Sequence, residues 1–168
     1  GDLDHALELL TEAEARYTTD YSPSVRPVTA LEARLEIKLG DLEAGARWAR
    51  EHELTADDDL SYVREFEHIT LASLLVARGS APDLQQATRL LERLLTDADA
   101  GNRIGNSLEI LVLLALAQQT SGNDAGAIAS LRRALAHAEP EGYVRTFLDL
   151  APPVADAPTS NAPPAGRI

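Results

Sequence analysis

Three consecutive aspartates, Asp57-Asp58-Asp59, and four histidines, His5, His52, His68 and His137, are the residues whose types suit cation binding or proton transfer. A calcium loop needs a glycine turn and a distal bidentate glutamate. Neither accompanies the aspartates, so they read as a solvated loop in which Asp58, Asp59 or Ser61 caps a helix start. The histidines never stand as a close pair or at metal-ligand spacing, and the absence of cysteine removes thiolate chemistry, disulfides and Cys-ligated zinc. Asp and Glu pairs abound, as on any acidic helical surface, and no nucleophilic serine sits on a strand-turn-helix signature. The expectation is a non-enzymatic chain with no catalytic residue, no cofactor and no metal.

The 168 residues carry a net charge of −12, which argues against this segment holding a phosphate backbone, since counterion release needs clustered Lys and Arg. Hydrophobic residues make up 45 % of the chain but aromatics only 4 %. Leu and Ala must therefore fill the core, which suits helices rather than sheets. No apolar run approaches the ~20 residues that span a bilayer. The chain starts at Gly1 without Met or a basic-then-apolar leader. It is expected to be a segment of a longer, cytoplasmic protein.

Something must position any functional side chains, and the sequence repeats. Gly1, Gly40, Gly79 and Gly122 recur at intervals of 39, 39 and 43 residues. After each comes a small residue (Ala6, Gly45, Ala87, Ala127), then Leu10, Ala49, Leu91 or Leu131 four further on, then Ala13, His52, Leu94 or Ala134. Spacings of four and three draw one stripe along a helix. Seven residues before three of the glycines stand Ala33, Ala72 and Ala115, each in an apolar helical segment. The unit reads helix, glycine turn, helix, with Gly in the left-handed conformation and the following Asp or Asn as cap.

These features resemble the tetratricopeptide repeat (TPR). The period exceeds the usual 34, no aromatic stands beside the first-helix small residue, and Trp48 lies on the second helix. Trp48 suits either the core or a stacking contact, and core is favoured. The long period and the wording of residues 61–79, 108–122 and 134–150 resemble the helical repeat region of LuxR-type, MalT-like ATP-dependent transcriptional regulators. The resemblance implies an all-α, right-handed superhelix of antiparallel helix pairs, with about eight helices over 1–150 and a Pro/Ala-rich tail or linker over 151–168. It also implies a sensor or interaction segment. Neither a phosphate loop nor a basic recognition helix occurs in this sequence, so DNA binding is expected from a helix-turn-helix that these residues lack.

Helices are expected over Leu3–Arg16, then one whose first turn holds Pro23 and Pro27 and which runs to Leu39, then Asp41–Glu53, Ser61–Arg78 as the longest, Pro82–Asp97, Ile104–Thr120, Asp124–His137 and Glu141–Leu150. In the resembled family the first helix of each unit lines an inner groove. That implies a surface of Arg34, Ile37 and Lys38; Phe66, Ile69, Ser73 and Val76; Glu109, Val112, Leu116, Gln119 and Thr120; and Tyr143 and Thr146. Apolar walls with a few polar groups suit an inducer or a partner protein. The alternative is a general TPR interaction scaffold with no small-molecule ligand. A homodimer through the apolar face of Leu3, Leu7 and Leu10 is a further expectation.

Overall fold

A computed structural model of the chain describes residues 3–16 and 24–138. Among them are seven α-helices: α1 (Leu3–Arg16), α2 (Val28–Leu39), α3 (Leu42–Glu51), α4 (Glu65–Arg78), α5 (Ala81–Ala100), α6 (Ile104–Thr120) and α7 (Asp124–Ala138). Three hairpins, α2–α3, α4–α5 and α6–α7, stack in order. The first helix of each touches the first helix of the next, and the second helix of each packs on the following unit, as α3 does on α4 and α5 on α6. Helix α1 packs on α2 in the same manner, as the second helix of a unit. The fold is all-α and TPR-like. The expected helix over Glu141–Leu150 and the tail lie outside the described residues.

Within the hairpins the glycine turns form as the sequence expects. Gly40, Gly79 and Gly122 have φ of 91°, 68° and 82°, a left-handed conformation that costs glycine nothing. Asp41 Oδ1 accepts from the Ala44 amide at 3.0 Å, and Asn123 Oδ1 accepts from the Gly126 amide at 3.0 Å. Ser80 takes the same role in the second hairpin, accepting from the Asp83 amide at 3.2 Å. Between hairpins the left-handed residue is Asn102 or Glu53 instead.

Small residues stand where helices approach closely. Ala33, Ala72, Ala87, Ala115, Ala127 and Ala134 are all buried, and Leu90, Leu91, Leu94, Leu108, Ile110 and Leu111 fill the space between α4, α5 and α6. At Gly45 a β-carbon would lie 2.7 Å from Ile37 Cγ1 and 3.2 Å from Leu74 Cδ1, so α3 nests against both α2 and α4 only because that side chain is missing. Gly45→Ala gains about 1 kcal/mol of helix propensity but meets an overpacking cost of roughly 1–3 kcal/mol. The expected result is a net loss near 1 kcal/mol in urea unfolding; a variant more stable than wild type would contradict this packing.

Several details differ from the sequence expectation. The segment starting at Ser61 opens with a 3₁₀ turn at Tyr62–Arg64 before α4 begins, and the longest helix is α5, with 20 residues. Ser61 makes no side-chain cap. Ala13 and Leu131 are exposed, although they continue the repeat's stripe. On α7 the exposed Ile128, Leu131 and Leu135 fall on the side where α3 and α5 each meet the next unit. Trp48 is in the core, its ring 5.5 Å from that of His52.

Asp58 does not cap a helix but folds the α3–α4 connection. It accepts from the Thr55 amide at 3.1 Å and from the Thr55 hydroxyl, and pairs at 3.2 Å with Nε2 of His68, which is fully buried. Arg93 of α5 donates to the carbonyls of Ala56 and Asp58 at 2.8 and 2.5 Å. Burial pushes the Asp58 carboxyl up, but the Thr55 hydrogen bonds and the bond and charge of His68 outweigh it and hold the group below its ordinary range. A depressed native value means that the stabilisation is present above the unfolded value near 3.9 and is lost as pH falls through the native one. Urea midpoints of Asp58→Asn should therefore fall less steeply than wild type below about pH 4. Parallel curves would refute the assignment.

A candidate binding face on helices α2, α4 and α6

Arg34 of α2 reaches across α4 to α6. Its Nη1 donates to Glu109 Oε1 at 2.6 Å and its Nη2 to Thr70 Oγ1 at 3.1 Å, while the guanidinium lies 4.1 Å over the Phe66 ring. Thr70, itself fully buried, donates its hydroxyl hydrogen bond to the Phe66 carbonyl at 2.9 Å. One planar cation thus ties together three consecutive first helices. Arginine suits this because its donors are fixed in a fork and its face stacks on aromatics. Its Nε is buried without a hydrogen-bond partner. Burial pushes the guanidinium below its ordinary range, Glu109 opposes that shift, and the nearby Arg26 charge adds to it.

Beside this strip, where α4 and α6 begin, lies a cleft of about 220 Å³. Its floor holds Glu65, which is 3 % exposed yet fully partnered. Arg103 Nε and Nη2 donate to it at 2.9 and 3.0 Å, and Asn106 Nδ2 at 2.7 Å. The Arg103 guanidinium stands 5.5 Å from the Tyr62 ring, and that of Arg26 is 5.5 Å from Phe66 on the strip side. A buried carboxylate with three donors is a structural anchor between the two helix starts rather than a free acid or base.

The MalT-like TPR region model matches residues 1–157 of this chain. The chain belongs to the MalT-like TPR family. No curated protein and no solved structure matches it. The family match takes in α1 and all three hairpins and continues past α7.

In this MalT-like TPR domain the residues expected to share one surface divide into three groups. Arg34, Phe66 and Glu109 meet directly. Ile37, Ile69 and Val112 are core residues, and Val76 and Leu116 pack against that core, because the first helices are covered by second helices on both sides. Ser73 is half-buried and donates to its own helix at the Ile69 carbonyl. Lys38, Gln119 and Thr120 are exposed at the ends of their helices; ten residues of α6 set Gln119 about 15 Å beyond Glu109. Tyr143 and Thr146 lie outside the described residues. The sequence reading did not single out Arg26, Tyr62, Glu65, Thr70, Arg103 or Asn106. Most of them sit at helix starts, where no periodicity marks them, and Glu65 with Arg103 is a pairing across 38 positions.

Among the described residues no group of three metal-ligating side chains converges and no helix is long and apolar enough to cross a membrane. His52 Nδ1 donates to the Trp48 carbonyl at 3.0 Å and Nε2 pairs with Thr29 Oγ1 at 3.3 Å, so the ring fastens α3 to α2.

Proposed function

We propose that this MalT-like repeat domain is the sensor and interaction segment of a LuxR-type transcriptional regulator. It binds an inducer or a partner protein on the α2–α4–α6 face and thereby controls assembly of the regulator in the cytoplasm, with no catalysis of its own and with DNA contacted by a helix-turn-helix elsewhere. The observation that carries this reading is the Arg34–Glu109 bond over Phe66 and Thr70. It joins the first and third hairpins, so an occupant that competes for either partner shifts the stack between curvatures.

Two experiments test the reading. In the full regulator, deletion of this segment should abolish the response to signal, and an intact response would overturn it. A thermal-shift screen of sugars, amino acids, nucleotides and short peptides should yield a ligand that raises the melting point, because binding only the folded state stabilises it. The second reading, an interaction scaffold without a small ligand, is favoured by one feature: the apolar stripe Ile128, Leu131 and Leu135 exposed on α7. Silence across all small molecules together with capture of a defined partner chain would select it.

A further inference from the structure

The cleft beside the Arg34 strip has an unusual local balance of charge. Two guanidiniums, Arg26 and Arg103, line it with one carboxylate, Glu65, and the Arg34–Glu109 pair lies beyond Phe66, outside the lining. Both carboxylates are committed, Glu65 to Arg103 and Asn106, and Glu109 to Arg34. Arg26 is exposed, has no carboxylate partner among the described residues, and stands 5.5 Å from the centre of the Phe66 ring. In a chain of net charge −12 the cleft is therefore a local positive spot. The distant acidic surface does not cancel it, since charges beyond about 8–10 Å are screened at ordinary ionic strength.

The walls supply the other half of a recognition site. Tyr62, Phe66, Val25 and Ile104 offer aromatic and aliphatic surface, and a β-carbon on Gly105 would meet nothing within 4 Å, so that side is open. A volume of about 220 Å³ falls below the roughly 300–1,000 Å³ of drug-sized sites and limits the occupant to one small group.

We propose that this cleft binds the carboxylate of a small acid with an apolar body, the carboxylate on Arg26 and the body against Tyr62 and Phe66. The inference rests on reading the α2–α4–α6 face as the ligand face and adds its ligand class. A carboxylate on Arg26 also removes the repulsion that Arg26 exerts on Arg34, which couples the cleft to the Arg34–Glu109 bond. A neutral ligand of the same shape lacks both effects.

The test uses the 168-residue chain and two pairs of probes, phenylacetate with phenylacetamide, and N-acetyl-Ala-Phe with a free or an amidated C-terminus. Binding is followed by calorimetry and by amide shifts in nitrogen-15 spectra. At least one carboxylate should bind saturably in the millimolar range, its amide about tenfold or more weaker, and Arg26→Gln should lose the same factor. Arg50→Gln, an exposed arginine on α3 away from the cleft, should bind as wild type. Which acid binds separates a free metabolite from a chain terminus, and either supports the site. Equal binding of acid and amide, unchanged affinity in Arg26→Gln, or no saturable binding by either acid overturns it. If the regulator's response still depends on Glu109 in that case, the ligand class alone is wrong; if that dependence is also absent, the reading of the face falls with it.

Discussion

Arg103→Met is expected to lower the unfolding free energy by about 3 kcal/mol, because it strands a buried carboxylate. Glu65 is almost wholly removed from solvent and takes three of its four hydrogen bonds from one guanidinium. Methionine fills the stem volume but donates nothing, so Asn106 alone faces the charge. For a domain of this size the melting temperature should fall by roughly 6–12 °C. Arg103→Lys keeps the charge but not the fork, and should fall between. The double variant Arg103→Met/Glu65→Leu should recover most of the loss, since replacing both members of a buried pair removes the desolvation cost with the attraction. A single variant within about 0.5 kcal/mol of wild type would show that Glu65 finds water, contrary to its burial.

Glu109→Leu should cost about 2–3 kcal/mol by the same logic at the other ion pair, with a different pattern around it. Arg34 would keep Thr70 and the Phe66 face but lose the one carboxylate that offsets both its burial and the neighbouring Arg26 charge. The strip joins α2 to α6 across α4, so the loss should spread: hydrogen exchange should quicken in α2 as well as in α6. Arg34→Met/Glu109→Leu should restore stability, and under the proposed sensor role it should leave the signal response impaired, which separates fold from signal. Additive single and double losses in a mutant cycle would mean that the two side chains do not interact.

Much of this architecture was legible in the chain. The glycine intervals and the alanines seven residues before them located three hairpins, because a left-handed turn and a close helix crossing each admit few residue types. Helix α6 was legible to the residue, and the ends of α2 and α7 nearly so. The start of α4 was not: residues 61–64 run without a break into the helical pattern, but the preceding loop, drawn in by Asp58, His68 and Arg93, leads into a 3₁₀ turn first. Leu131 reads as core from its spacing, yet a residue is buried only if something lies over it, and among the described residues nothing covers that side of α7.

The site divides along the same line. Sequence by itself determined that the chain is a repeat of helix pairs and that Arg34, Phe66 and Glu109 stand on first helices. Those are properties of local spacing, repeated and so reinforced. Only the tertiary structure decided that Arg34 lies over Phe66 with Glu109 and Thr70 at its ends, that Ile69 and Val112 turn into the core, and that Arg26 stands beside a cleft with no carboxylate partner among the described residues. These are matters of which side chains meet across tens of residues, and periodicity along one helix carries no information about the register of the next.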